Sequence, residues 1–155
     1  MLKKLVLGLL ASGVIAVPVH AEERAIGAPI GAWRVMGETD PMTDRKDCTA
    51  YYGPGRSIQL TKTSFAISYR GRGMLSGYTV RFGDDAPMPT ALPTRIEERI
   101  GALMIDAGDP RWERLITSRR VRVQALTAVS SIVNDEVDLT RISEVLARLS
   151  GPSCA

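Results

Sequence analysis

Between Trp33 and Leu126 apolar and polar residues alternate repeatedly with a period of two, the pattern of strands that bury one face. Trp33 and Val35, with Gly37, alternate against Arg34 and Met36, and Asp40-Pro41 with the polar TDRKD stretch then turns the chain. An extended pattern resumes from Cys48 to Tyr52 and stops at Gly53-Pro54-Gly55. Residues 57–63 place Ile58 and Leu60 on one face, residues 64–69 place Phe65, Ile67 and Tyr69 on one face, and Gly71-Arg72-Gly73 is a further turn. Residues 77–82 set Tyr78, Val80 and Phe82 opposite Thr79 and Arg81. The N-terminal half therefore predicts an antiparallel meander.

The pattern changes at residues 83–94, where Pro87, Pro89 and Pro93 oppose regular pairing and predict an irregular connection that crosses between sheets. Residues 100–105 offer another apolar strand, and Asp109-Pro110 predicts the start of a short helix through Trp112 and Leu115. Val121, Val123 and Ala125 alternate with Arg120, Arg122 and Gln124 as a strand. Ile142, Val145, Leu146 and Leu149 then recur at helical spacing, in a last helix capped by Asp138 or Thr140 and stopped by Gly151-Pro152. The predicted fold class is α+β: an antiparallel β-sandwich or twisted sheet, with a short helix and a C-terminal helix packed on it.

The first 21 residues have a different pattern. Lys3 and Lys4 precede an apolar run from Leu5 to Val17, and Pro18 and a small-residue ending at Ala21 follow. That order predicts a signal peptide cleaved after Ala21, because the run is too short to cross a bilayer. The expected organisation is a signal peptide at 1–21, a flexible lead-in at 22–31 and one β-rich domain at 32–155, soluble in the periplasm or secreted, without a membrane span. Cleavage would remove His20, the one histidine, and two lysines, which leaves 18 basic residues against 17 acidic ones. In an oxidising compartment Cys48 and Cys154 predict a disulfide that ties the C-terminus to the first third of the chain.

Loss of the histidine excludes a Ser-His-Asp triad, a Cys-His pair and any histidine-bearing metal site from the mature chain. What remains is carboxylate chemistry, with Asp40, Asp44 and Asp47 as candidates in a turn that also carries Arg45 as a binding candidate. Aspartates in turns, however, commonly hydrogen-bond their own backbone. The glycine pairs do not continue as G-x-G-x-x-G, so they are turns and not phosphate cradles. No cofactor is expected. The charge distribution is uneven: residues 48–83 carry Arg56, Lys62, Arg70, Arg72 and Arg81 and no acidic residue, and Arg120 and Arg122 add a second cluster. On one shared face these seven would hold an anionic cell-wall component or the acidic surface of an envelope protein. Scattered, they would be a solvated surface that guards sheet edges. Nucleic acid is a poor partner for an exported chain of near-neutral charge.

The order Trp33-x-Val35, Asp40-Pro41-Met42-Thr43-Asp44, Cys48, short basic strands and a terminal Asp138-Leu139 helix ending near Cys154 resembles small secreted proteobacterial proteins of the invasion-associated-locus-B kind. It is also similar to periplasmic accessory proteins of type VI secretion. The resemblance implies a β-rich fold without enzymatic activity and a binding or accessory role, and it supplies no catalytic residues. The expected function is thus a non-catalytic exported binding protein, not an enzyme. The alternatives are an inhibitor of a lysozyme-like cell-wall hydrolase and a histidine-free carboxylate hydrolase.

Overall fold

The structure, a computed structural model, describes residues 23–154, so the expected signal peptide lies outside the described residues. In chain order the elements are β1 (Glu23–Ala25), β2 (Trp33–Thr39), β3 (Lys46–Tyr52), β4 (Ile58–Leu60), β5 (Ser64–Ser68) and β6 (Leu75–Phe82). Helix α1 (Arg95–Ile100), β7 (Ala102–Asp106), α2 (Arg111–Thr117), β8 (Arg120–Thr127), β9 (Ile132–Asp138) and α3 (Ile142–Leu149) follow. One antiparallel sheet has the order β1-β2-β3-β4-β5-β7 and the other β6-β8-β9. Both sheets and α3 contribute to a single apolar core, with Trp33, Phe65, Leu103, Phe82, Val123 and Val145 all buried in it. No helix among the described residues is long and apolar enough to cross a membrane.

Alternation is realised where one face meets that core. In β6 and β8 the residues Tyr78, Val80, Phe82, Val121, Val123 and Ala125 point inward, and Thr79, Arg81, Arg122 and Gln124 point outward. The amphipathic α3 buries Ile142, Val145 and Leu149, the stripe that helical spacing required.

Four expectations are corrected. Within the expected 22–31 lead-in, the described residues 23–31 are not loose: β1 pairs with β2, and Ile30 is only 2% exposed in the core. The meander ends at β5, because β6 leaves it for the second sheet, and the 83–94 connection crosses from one sheet to the other. Its prolines do not abolish pairing: Ala91 and Tyr78 exchange backbone hydrogen bonds and Met88 N–H donates to the Val80 carbonyl, so the segment covers the outer edge of β6. At α3 neither Asp138 nor Thr140 caps the first turn. The Asp138 carboxylate accepts the Thr140 N–H at 2.8 Å, in a turn that leads into the helix.

Side chains from elsewhere close the β7 edge at Met104 and the end of the β9 edge at Asp138. At β7, the outward Met104 N–H donates to Glu97 Oε1 (2.9 Å) and its carbonyl accepts from Arg111 Nη2 (3.1 Å). Glu97 belongs to α1, whose N-terminus is a capping box: Thr94 Oγ1 accepts the Glu97 N–H, and Glu97 Oε2 accepts the Thr94 N–H. Tyr78 on β6 donates to Glu97 and accepts from Arg111, so a polar chain joins the two sheets. Arg111 holds the Asp109 carboxyl below its usual range, Asp109 in turn holds the guanidinium above its own, and burial pushes the Tyr78 hydroxyl up. At the far end of β9, Asp138 N–H donates to the Tyr52 hydroxyl (3.1 Å) and its carbonyl accepts from Trp33 Nε1 (3.2 Å). Trp33 and Tyr52 meet edge to face, with ring centroids 5.1 Å apart.

Cys48 and Cys154 form a disulfide across 106 residues, which ties the chain end to β3.

Candidate functional site

The outward face of β6, β8 and β9 is set by strand register. Arg81 lies opposite Arg122, which lies opposite Glu136, and this makes one cross-strand row. The next row is Thr79, Gln124 and Asn134, and the one beyond it is Gly77, Leu126 and Ile132. Residues 83–90 pass along the β6 side and give the face a wall. The result is a groove of about 380 Å³ whose lining includes Arg81, Pro87, Arg122, Gln124, Asn134 and Glu136. A neighbouring hollow of about 500 Å³ is lined by Asp84, Arg119, Arg120, Glu136, Asp138 and Thr140.

Two of the arginines on this face are paired with carboxylates and the third with backbone carbonyls. Arg122 Nε donates to Glu136 at 2.9 Å, and Arg120 pairs with Asp84. Arg81 donates to the carbonyls of Asp85 (2.7 Å) and Asp84 (3.2 Å). The guanidinium of Arg120 holds the Asp84 carboxyl below its usual range. Gln124 donates to Asn134 between these pairs, and Thr79 and Thr90 share a hydroxyl bond at the rim. Toward the β8–β9 turn the face becomes apolar, with Leu126 and Ile132 exposed by 47% and 62%. Such a face offers hydrogen bonding in both senses, local charge of both signs and an apolar end.

Of the seven basic residues expected to share a surface, the fold brings Arg81, Arg120 and Arg122 together and disperses the others. Arg56 pairs with Glu23 and lies 5.1 Å from the Tyr51 ring centre. Lys62 donates to the Cys154 carbonyl, and Arg70 donates to the carbonyls of Ile100 and Arg99. Arg72 bonds Asp135 and the Ser68 carbonyl, 4.7 Å from the Tyr69 ring centre. A run of like charge in the sequence becomes several compensated sites once the strands divide between two sheets.

Asp40, Asp44 and Arg45 sit on the β2–β3 hairpin loop. Asp40 Oδ1 accepts the Met42 N–H at 2.8 Å, and this bond with the Thr43 hydroxyl holds its carboxyl below the usual range. Its carbonyl accepts the N–H groups of Thr43 and Asp44. Asp40 thus serves its own turn, and Asp44 takes a left-handed backbone (φ 55°) that closes it. Arg45 pairs with Asp47, both of them exposed. Met42 projects from the loop 89% exposed.

Sequence reasoning missed Asp84, Gln124, Asn134 and Glu136, because only register places them beside the arginines. It also missed the buried chain of Glu97, Tyr78, Arg111 and Asp109, for which the Thr94-x-x-Glu97 spacing was the available signal. Comparisons of the chain with family models, with curated proteins and with solved structures found no match.

Proposed function

We propose that this chain is an exported, non-catalytic binding module that contacts a partner protein of the cell envelope through the outer face of β6, β8 and β9. Its two sheets are then the layers of a sandwich whose helix-free side is the contact surface. One observation carries the reading: two of the arginines gathered on this face, Arg122 and Arg120, are set beside Glu136 and Asp84 within hydrogen-bond distance, and amide side chains lie between them. A polyanion would meet the carboxylates of Glu136 and Asp84 beside the guanidiniums there, whereas a protein surface of mixed charge finds complementary groups in register. The resemblance to small secreted proteins of the invasion-associated-locus-B kind and to periplasmic accessory proteins of type VI secretion points the same way, toward binding.

The test is quantitative retention of envelope protein on the immobilised mature chain. Arg122→Gln is expected to lower partner affinity about tenfold or more, because it leaves Glu136 unmatched, and Arg56→Gln is expected to leave it unchanged. Equal retention by both variants, or tight retention on a heparin matrix at physiological salt, would overturn the proposal.

A second reading rests on the hairpin loop. Met42 and Arg45 are presented on a turn tied by hydrogen bonds to Asp40, which suits a preorganised plug for the cleft of a cell-wall hydrolase. Inhibition of lysozyme by the wild type, abolished in Met42→Ala/Arg45→Ala, would favour it over the sheet face.

A further inference from the structure

The backbone of β9 leaves an edge open. Thr127 N–H donates to the Ser131 carbonyl, and Leu139 N–H donates to the Arg119 carbonyl. These bonds bracket the β8–β9 ladder, whose register runs without a shift from Leu126↔Ile132 to Arg120↔Asp138. Odd-numbered residues of β9 therefore bond to β8, and Ile132, Asn134, Glu136 and Asp138 turn their N–H and carbonyl groups away from it. Asp138 is closed by Tyr52 and Trp33. Ile132, Asn134 and Glu136 form the longest open run of sheet edge among the described residues, because 88–91 cover β6, Glu97 and Arg111 close β7 at Met104, and β1 has three residues.

We propose that the occupant of this edge is β9 of a second copy of this chain, running antiparallel and centred on Asn134. In that register Asn134 faces its symmetry mate and Ile132 faces Glu136 of the partner subunit, so all three open positions are used, with about six backbone hydrogen bonds. The length matches at both ends. Opposite the closed Asp138 stands the partner's Ser130, where the chain turns away with φ 59°.

The charges also match. Asp135 faces the partner's Val133, and no carboxylate faces another, whereas a register centred on Glu136 would oppose two glutamates. Asp135 and Glu136 each keep their own cation, Arg72 and Arg122. The exposed Ile132 then lies against the stem of the partner's Glu136, and the two grooves join on one continuous sheet.

The experiment is sedimentation equilibrium of the oxidised mature chain from about 10 µM to 1 mM, the range of a small interface, with cysteine cross-linking as a second readout. A concentration-dependent dimer is expected. Asn134→Pro should abolish it, because proline removes an outward N–H and spares the bonds to β8. Asn134→Cys should cross-link to itself, Ile132→Cys should cross-link to Glu136→Cys in a mixture, and Gln124→Cys, one strand inward, should do neither. Should Asn134→Pro fail to fold, the cross-linking pattern decides. A monomer throughout the range, or cross-linking at position 134 no faster than at 124, would overturn the pairing; the groove proposal would stand in either case.

Discussion

Glu97→Ala is expected to destabilise the fold by about 3 to 5 kcal/mol, near the upper end for one surface-to-core carboxyl. The residue is 2% exposed, and its two oxygens accept from Thr94 N–H, Met104 N–H and the Tyr78 hydroxyl. Truncation would leave those donors without a partner, remove the Glu97 half of the capping box on α1 and open the edge of β7 at the Met104 N–H. Arg111 would keep its bonds to Asp109 and the Met104 carbonyl, so one half of the closure survives. Glu97→Gln, which preserves shape and an acceptor, is expected to cost less, about 1 to 2 kcal/mol. Urea unfolding of the three proteins measures both differences. Equal midpoints for wild type and Glu97→Ala would show that the two sheets are joined by other contacts.

The second large effect belongs to the disulfide. Cys48→Ser/Cys154→Ser is expected to lose about 3 to 5 kcal/mol, in line with release of a loop of 106 residues in the unfolded chain. Cys48 lies on β3 against the buried Cys154, and the Lys62 ammonium holds the Cys154 carbonyl, so the loss should free the last turn first. Hydrogen exchange should then rise at 153 and 154 before it rises in β3. A double variant as stable as the wild type would mean that the packing of α3 holds this end by itself.

Strands with one buried face were legible in the sequence because burial imposes the period of two: β2, β5, β6 and β8 follow from Trp33, Phe65, Tyr78 and Val121 and their alternating neighbours. β9 was not, because Asn134, Asp135 and Glu136 stand in succession and the inward Asp135 is neutralised by Arg72 from the turn between β5 and β6. A long-range ion pair leaves no local trace. β1 is three residues whose pairing with β2, not their own pattern, makes them a strand. The short α1 carried a capping box that six residues and a preceding proline concealed. For the site, the sequence supplied the arginines, and only the division into two sheets decided which of them meet. Arg81, Arg122 and Glu136 become a row because β8 lies between β6 and β9, and that order is set by core packing across the whole chain.

The central claim is that the outer face of β6, β8 and β9 meets a partner protein. A photoreactive residue placed at Gln124, in the middle of the face, tests it most directly when compared with one at Gln59 on the six-stranded sheet. In living cells the account predicts a discrete protein adduct from position 124 and none from position 59. Adducts from position 59 alone, or none from position 124, would contradict it.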